Sequence, residues 1–298
     1  MIRPERVPQV MKRLAHAGSR SLGRVTAGAR MTPSFLLCGG QRCGTTTLYR
    51  ALAAHPAILK PVLHKGVHYF DTGYHHGPRW YRAHFPLRRT AQRVAARTGV
   101  PPLAFESSPY YLYHPHAARR IAAELPDVKV IVLVRDPVER AHSQYAHERA
   151  RGFESEPDFG RALALEPLRL RGEAERMLAD PHHYSFSHQH HAYRARGEYA
   201  RYLAAMAAAL GRERILVLES AELFTTPHAL YDRVLDFLGL PRGPYPRFER
   251  HNARPRPPVP ERIRRELSAY YEPFDAALAD WLGRTPSWRR AASRERPG

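Results

Sequence analysis

The fold of this chain is decided by the stretch Phe35-Leu36-Leu37-Cys38-Gly39-Gly40-Gln41-Arg42-Cys43-Gly44-Thr45-Thr46-Thr47-Leu48. An apolar run stops at two glycines, and hydroxyl residues then open a helical pattern. A strand, a glycine loop and a helix N-terminus in this order direct backbone N–H groups and the positive end of a helix dipole toward an anion. The stretch therefore predicts a phosphate-binding loop after a buried strand.

The position of the cation separates this loop from those of nucleotide-hydrolysing enzymes. Residues 39–44 fit the pattern G-x-x-x-x-G-K-[ST], but Thr45 stands where the pattern requires lysine, and the cation is Arg42 within the loop. ATPases and kinases of this type need that lysine beside the phosphates. A cysteine-phosphatase loop is excluded as well, because Tyr49 rather than arginine stands six residues after Cys43.

Cys43 has two interpretations at this stage. A cysteine at a helix N-terminus has a lowered pKa and can be reactive. The interpretation we favour is that it contributes only its backbone N–H to the loop. The other cysteine of the chain is Cys38. Two cysteines cannot form a disulfide framework, which fits a reducing compartment and predicts a cytoplasmic protein.

Charge and length set the class of protein. The 298 residues suit one large α/β domain or two small ones, and 47 basic residues, only four of them lysine, give a formal charge of +19. That charge predicts either a basic solvated surface or attraction to an anionic substrate or nucleotide. No nucleic-acid-binding motif is present, so we expect no nucleic-acid partner. No apolar run approaches the ~20 residues of a membrane span, and residues 1–30 lack the apolar core of a signal peptide.

Strands and helices alternate along the chain. The run Val128-Lys129-Val130-Ile131-Val132-Leu133-Val134 is apolar on both faces, as a central parallel strand should be. This alternation predicts an α/β fold with three αβα layers and a central parallel sheet. We expect flexible tails at 1–32 and 286–298 around a domain at 33–285. Within it we predict strands at 103–106 and 214–218, helices at 46–55, 115–125, 199–210, 228–238 and 261–282, an ordered loop region with short helices at 57–90, peripheral helices within 151–185 and an extended loop at 241–260.

A second phosphate motif follows the central strand. Arg135-Asp136-Pro137-Val138-Glu139-Arg140-Ala141-His142-Ser143 matches the pattern R-D-P-x-x-R-x-x-S. Together with residues 41–46, this motif resembles the sulfotransferase superfamily, in which the first element is a 5′-phosphosulfate loop and the second a 3′-phosphate motif. The resemblance covers roughly residues 33–285. An alternative interpretation makes Arg135 and Asp136 a structural ion pair at the end of the strand.

Two further segments are similar to the heparan-type carbohydrate sulfotransferases and their bacterial relatives. Gly66-Val67-His68-Tyr69-Phe70-Asp71 resembles their E-V-H-F-F-D loop, and Glu106-Ser107-Ser108-Pro109-Tyr110-Tyr111 resembles their E-K-S-P-x-Y segment. The chain departs from the family at Gly66 and Ser107, where those enzymes have a catalytic glutamate and a lysine. The resemblance implies acceptor contacts by Asp71, Glu106 and Tyr111.

The resemblance also implies the donor, 3′-phosphoadenosine 5′-phosphosulfate, which carries two separated anionic groups. Arg42 would stabilise charge on the leaving phosphate, because fixed cations act where charge develops. Arg135 offers a bidentate fork to the 3′-phosphate, and Ser143 adds a hydroxyl. Arg254 or Arg256, in the basic loop at 251–256, would complete the donor site. The remaining residues expected to cradle the 5′-phosphate are Cys43, Gly44, Thr45, Thr46 and Thr47.

Because glycine stands at position 66 in place of the family glutamate, the sequence does not identify the general base. His68 is the leading candidate, because a neutral imidazole has a pKa suited to proton removal near neutral pH. His64 and Glu106 are alternatives, and in another interpretation His68 only orders its loop.

The histidine-rich run at 182–191 lacks the partners of a known metal-ligand pattern, so we expect no metal. The run is expected along the acceptor cleft or on the surface. The resemblance thus implies sulfuryl transfer to an acceptor hydroxyl and suggests a carbohydrate, while the residues leave a lipid or small molecule open. Alternatives are a non-catalytic nucleotide- or polyanion-binding protein of the same fold and a Mg²⁺-dependent kinase.

Overall fold

The protein is built on one five-stranded parallel sheet with strand order β2-β3-β1-β4-β5. The structure is a computed structural model that describes residues 23–249 and 256–294. The strands are β1 (Phe35–Gly39), β2 (Ile58–Leu59), β3 (Leu103–Glu106), β4 (Lys129–Val134) and β5 (Ile215–Glu219). The helices are α1 (Thr45–Ala53), α2 (Pro78–Arg82), α3 (Arg88–Thr98), α4 (Ala117–Glu124), α5 (Pro137–Ala150), α6 (Phe159–Leu170), α7 (Glu173–Ala179), α8 (Phe186–His190), α9 (Tyr199–Leu210), α10 (Glu222–Thr225), α11 (Pro227–Leu238), α12 (Glu261–Leu282) and α13 (Ser287–Arg294).

Apolar side chains cover both faces of the sheet and form its two cores. Along β1, Leu36 and Cys38 belong to one core, while Phe35 and Leu37 belong to the other. Residues 130–134 of β4 are fully buried, and each such side chain stabilises the fold by about 1.5–3 kcal/mol. Helices lie against both faces, which confirms the predicted three-layer αβα architecture.

The chain changes direction across the sheet at β1, and this places the site. From β1 the chain passes to β2 and β3 on one side, then to β4 and β5 on the other. Ligands of such sheets bind beyond the carboxyl ends of the strands at this switch point. The phosphate loop follows β1 here, where Gly39 has φ of 124°. A Cβ at Gly39 would lie 2.5 Å from the Leu133 carbonyl oxygen, so only glycine lets the two strands approach this closely.

Most predicted elements are present, and the domain contains four further strands and helices. The predicted helices at 199–210 and 261–282 have the observed bounds of α9 and α12. The elements that were not predicted are strand β2 and helices α3, α8 and α10. No helix within the described ranges has the length and apolarity needed to cross a membrane.

The ends of the domain extend beyond the predicted boundaries. Helix α13 lies within the stretch 286–298 that was expected to be a tail. It contacts α12, because Trp288 Nε1 and Arg289 Nε both donate to Asp275 Oδ2, at 3.0 and 2.6 Å. A 3₁₀ turn at Ala27–Ala29 lies within the other expected tail. Residues 1–22 and the predicted donor residue Arg254 lie outside the described residues.

Candidate active site

A cavity of about 640 Å³ lies beyond the carboxyl ends of the strands. It is lined by the phosphate loop, the start of α5, the segment that follows β5, and the start of α13. Most residues that the sequence predicted to bind the donor meet here, although they come from two separate motifs. These are Arg42, Gly44, Thr45, Thr46, Thr47, Arg135 and Ser143.

The backbone of the phosphate loop has the form of an anion-binding turn. Arg42 and Gly44 are left-handed, with φ of 73° and 82°, and such residues create concave turns of N–H groups that bind anions. Gly44 is the N-cap of α1 and gives the helix no side-chain cap. The first N–H groups of a helix have no intrahelical acceptor, so an anion in the cavity can satisfy them.

The side chain of Cys43 supports the phosphate loop from the protein interior. It is fully buried, and its Sγ lies 3.7 Å from the hydroxyl of Tyr199. Burial raises the pKa of the Cys43 thiol, and this effect outweighs the opposing charges of Arg140, Arg135 and Arg42. The interpretation of Cys43 as a reactive thiolate is therefore wrong, and its side chain has a structural role.

Lys65 reaches the phosphate loop from the segment after β2. Its Nζ donates to Thr45 Oγ1 at 3.0 Å and to Thr46 Oγ1 at 3.2 Å, and it lines the cavity. Burial lowers the pKa of Lys65 to about 8. Sequence reasoning missed this residue. The available signal was that Lys65 is one of only four lysines in a chain whose 47 basic residues are otherwise arginine.

Arg42 joins the two predicted phosphate motifs. Its Nε donates to Ser143 Oγ at 3.2 Å, and Arg135 Nη1 donates to the carbonyl oxygen of Arg42 at 3.4 Å. The loop after β1 and the helix after β4 are thus linked through three residues that the sequence selected independently.

Glu139 holds a cluster of arginines at the wall of the cavity. Its carboxylate accepts from Arg256 Nη2 and Arg264 Nη2, both at 2.6 Å, and lies 3.7 Å from Arg135 Nη2. Burial acts to raise the pKa of Glu139, but the hydrogen bonds from Arg264 and Arg256 hold it below its usual value. Glu139 stays ionised and holds Arg135 and Arg256 at the cavity wall.

The alternative interpretation of Arg135 and Asp136 as an ion pair is wrong. Asp136 is the N-cap of α5, and its Oδ1 accepts from the Val138 N–H at 2.9 Å. Arg135 contacts Glu139 instead and remains partly exposed to the cavity.

His68 forms a pair with Asp71 beside the phosphate loop. His68 Nδ1 lies 2.8 Å from Asp71 Oδ2, and the Asp71 side chain is fully buried while that of His68 is 43% exposed. Burial alone would lower the pKa of His68, but the charge and hydrogen bond of Asp71 outweigh it and raise the pKa. Since the carboxylate holds Nδ1–H, Nε2 is left free to accept a proton. His68 has φ of 56°, which is rare for residues other than glycine and is concentrated at functional sites.

Glu106 and Tyr111 hold the His68 loop in place, and the prediction that they bind the acceptor is wrong. Both are buried, with at most 1% exposure. Glu106 Oε2 accepts from the Val67 N–H at 3.1 Å, and the Tyr111 hydroxyl accepts from the Tyr69 N–H at 2.8 Å. Tyr111 in turn donates to Glu106 Oε1 at 2.6 Å. A carboxylate buried in this way cannot reach an acceptor, so Glu106 is not the base.

Steric crowding explains why glycine stands at position 66, where the related enzymes have glutamate. A Cβ at this position would lie 2.6 Å from the carbonyl oxygen of Ser107, so any side chain here displaces the backbone. Neither His64 nor His68 lines the cavity. His64 is exposed, whereas His68 is oriented by the buried carboxylate of Asp71 and remains the leading candidate for proton removal.

The histidine-rich run is partly buried behind the phosphate loop. His190 Nδ1 lies 3.0 Å from Glu148 Oε2, and Glu148 Oε1 accepts from Gln41 Nε2 at 2.7 Å. His188 Nδ1 lies 2.7 Å from the Tyr110 hydroxyl. Among the described residues, no three His, Cys, Asp or Glu side chains form a group that could hold a metal ion.

The fold and the site together are those of an α/β protein with an anion-binding loop and a cavity lined by cations. Residues 32–252 match the family model described as "Sulfotransferase domain". The chain belongs to this family and is an enzyme of the sulfotransferase class.

Known proteins similar to this chain include both bacterial and human enzymes. The crystal structure of a sulfotransferase from Alicyclobacillus acidocaldarius has 26% sequence identity and a TM-score of 0.65, over 87% of this chain and 99% of that one. Human heparan sulfate glucosamine 3-O-sulfotransferase 6 is 29% identical, over 88% of this chain and 75% of the relative. Human bifunctional heparan sulfate N-deacetylase/N-sulfotransferase 3 is 28% identical over 87% of this chain, which spans only 31% of that relative's length.

Proposed function

We propose that this enzyme transfers the sulfuryl group of 3′-phosphoadenosine 5′-phosphosulfate to a hydroxyl group of a carbohydrate. The observation that carries the proposal is one cavity lined by cations from separate segments of the chain. Lys65 donates to the phosphate loop that holds Arg42, and Glu139 holds Arg135 and Arg256. Several cations in one cavity suit a nucleotide that is phosphorylated at both its 3′ and 5′ positions.

The residues of the cavity fit the rest of this donor. Phe224 and Trp288 line the cavity and offer aromatic surface to a purine ring. The acidic groups of the cavity wall are already engaged, because Asp136 caps α5 and Glu219 is paired with Arg284. The cavity therefore presents mostly hydrogen-bond donors and positive charge to the two anionic groups.

The mechanism that we propose divides the work between His68 and the cations. His68 Nε2 takes the proton of the acceptor hydroxyl while that oxygen forms its bond to sulfur. The bond between sulfur and the bridging oxygen breaks, and its electron pair stays on the 5′-phosphate. Arg42 and Lys65 neutralise the charge that develops on this phosphate, which is the form of stabilisation that lowers the barrier most in such sites. Asp71 holds the imidazole in the required tautomer and stabilises its protonated form.

The same proposal includes a cytoplasmic location. It is supported by the two free and buried cysteines, which form no disulfide with each other.

The test is transfer of labelled sulfate from the donor to a panel of sugar glycosides, with His68→Ala as the key variant. We expect wild-type enzyme to label an acceptor and His68→Ala to lose about 10²–10⁴-fold in kcat, the range of general-base catalysis. Binding of 3′-phosphoadenosine 5′-phosphate, measured by calorimetry, should be retained. His228→Ala removes an exposed imidazole on α11 and is the matched control.

Two results would contradict the proposal. Failure of the wild-type protein to bind the desulfonated nucleotide would remove the donor. Wild-type turnover by His68→Ala would remove His68 as the base.

A further inference from the structure

A second cavity, of about 220 Å³, lies next to the His68–Asp71 pair. Its wall carries phenol groups such as those of Tyr74 and Tyr184, imidazoles such as His114 and His183, and the carboxylate-bearing Asp71. Part of the wall is supplied by the histidine-rich run 182–191, for which the donor site has no use. Our proposed mechanism likewise leaves this space without a ligand.

The second cavity is linked to the proposed base through Asp71. Pro109 lines the donor cavity and the next residue, Tyr110, lines the second one. Asp71 lines the second cavity and also holds His68 Nδ1 at 2.8 Å. The N–H of His68 is fixed to Ser108 Oγ at 3.0 Å, directly before this turn. A molecule in the second cavity would therefore contact Asp71, the residue that orients the imidazole of His68.

The wall of this cavity lacks permanent positive charge, which is unexpected in a chain with a formal charge of +19. None of the described residues that line it is lysine or arginine. The nearby Arg120 donates through Nη1 to the carbonyl oxygens of Phe70 and Asp71, both at 3.1 Å, and through Nη2 to that of Pro181 at 3.2 Å. Its guanidinium group is thus occupied by the backbone.

Two histidines of the wall, His114 and His183, have surroundings that bear on this charge. Burial lowers the pKa of His114 to about 4, so its imidazole is neutral. His183 Nε2 lies 3.4 Å from Glu173 Oε2, so a carboxylate already faces it. An anionic acceptor would lose part of its hydration here without contacting a lysine or arginine of the wall, which is unfavourable. A neutral ring with several hydroxyl groups would find donors and acceptors together with aromatic faces.

We propose, on the basis of the function proposed above, that this cavity binds the acceptor as a single uncharged sugar ring. A volume of about 220 Å³ is that of roughly seven water molecules at ~30 Å³ each, which suits one ring and not an extended chain. The substrate class is thus a neutral glycoside or the neutral end of a glycan, and sulfated or carboxylated sugar chains are excluded from this cavity.

The experiment compares matched neutral and anionic sugars. The probes are methyl glycosides of glucose, galactose and mannose and the corresponding methyl uronosides. Each is tested as an acceptor with labelled donor and, separately, for binding by saturation-transfer NMR. We expect kcat/KM for the best neutral glycoside to exceed that for its uronoside by at least about tenfold, and only the neutral series to give NMR contacts.

Variants test whether this cavity is the site. Tyr184 is 53% exposed, and Tyr184→Ala should raise the KM of the neutral acceptor about tenfold with the Kd of the nucleotide unchanged. Tyr184→Lys should shift preference toward the uronosides. Tyr245→Ala, which removes an exposed tyrosine that does not line either cavity, is the matched control.

The outcomes separate this inference from the proposed function. Preference for uronosides, or an unchanged acceptor KM in Tyr184→Ala, overturns the neutral-ring proposal while nucleotide binding and sulfuryl transfer stand. Absence of nucleotide binding overturns the proposed function, and the NMR comparison still decides whether the cavity selects neutral rings.

Discussion

The Nζ of Lys65 lies 3.0 Å from the Oγ1 of Thr45, the residue that occupies the lysine position of the common phosphate-loop pattern. The cation that the loop lacks in sequence is therefore supplied in space from the segment after β2. Lys65 comes from outside the loop, and the loop's own cation, Arg42, contacts Ser143. The proposed 5′-phosphate position thus has two cations near it, on different elements of the fold.

Donor binding should weaken as pH rises through about 8. The pKa of Lys65 is lowered to about 8 by burial, so its charge is present below that pH and lost above it. The phosphates stay fully ionised between about pH 7.5 and pH 9.5, because their second pKa is near 6. Calorimetry with 3′-phosphoadenosine 5′-phosphate should show affinity falling about tenfold over this range. Lys65→Arg should flatten the dependence, Lys65→Met should weaken binding at pH 7.5 and approach wild type at pH 9.5, and the exposed control Lys60→Met should match wild type throughout. A steep dependence that persists in Lys65→Met would assign the titration to another group.

Arg256 should contribute affinity only to nucleotides with a 3′-phosphate. Arg256→Ala removes a cation that Glu139 holds at the cavity wall. We expect a loss of about 2–5 kcal/mol in the binding of 3′-phosphoadenosine 5′-phosphate, as for other buried charged contacts. Binding of adenosine 5′-monophosphate, which lacks the second phosphate, should hardly change. Arg262→Ala, an exposed arginine of α12 paired with Glu266, is the control. Equal losses for both nucleotides would place Arg256 outside the 3′-phosphate site.

Gly66 should tolerate no side chain. A Cβ here meets the Ser107 carbonyl oxygen at 2.6 Å, so Gly66→Ala should lower the free energy of unfolding by about 1–3 kcal/mol. Gly66→Glu, which restores the residue of the related enzymes, should be less stable and should not gain activity. Urea unfolding measures both effects. Gly28→Ala, where a Cβ meets nothing within 4 Å, is the control and should stay within about 0.5 kcal/mol of wild type. A stable and more active Gly66→Glu enzyme would disprove the steric explanation.

Trp288 should bind the purine ring of the donor. It lines the cavity from α13, outside the residues matched by the family model. Stacking of a base on an aromatic side chain contributes about 1–3 kcal/mol, so Trp288→Ala should weaken nucleotide binding by that amount. Trp288→Phe should retain most of it, although it removes the hydrogen bond to Asp275. If Phe and Ala weaken binding equally, that hydrogen bond and not stacking is what matters.

The sequence predicted the elements that have a strong and regular hydrophobic pattern. Strand β4 is apolar on both faces and was recognised as central, while α9 and α12 have strong helical patterns and clear ends. Strand β2 has only two residues at the edge of the sheet, too few for any periodicity. Helix α3 has Val94 as its only buried residue, so its arginine-rich sequence showed no apolar face.

Site residues that belong to a sequence motif were predictable. Site residues that are placed by contacts between distant segments were not. Arg42, Arg135 and Ser143 were found because each lies in a motif at the end of a strand. The contact of Lys65 with Thr45 joins residues 20 positions apart in the sequence and needs the packing of two loops. Glu106 and Tyr111 were assigned to the acceptor because a motif does not tell which of its polar side chains face inward. In the structure both side chains are buried and hold the His68 loop through its backbone N–H groups.

The left-handed backbone of His68, with φ of 56°, has an evolutionary consequence. A non-glycine residue in this conformation costs about 1–3 kcal/mol, which the contacts of neighbouring segments must offset. Glycine at position 68 would relieve that strain and abolish the proposed base at once. Directed evolution for thermal tolerance alone should therefore lose this histidine early, whereas selection for turnover should retain it.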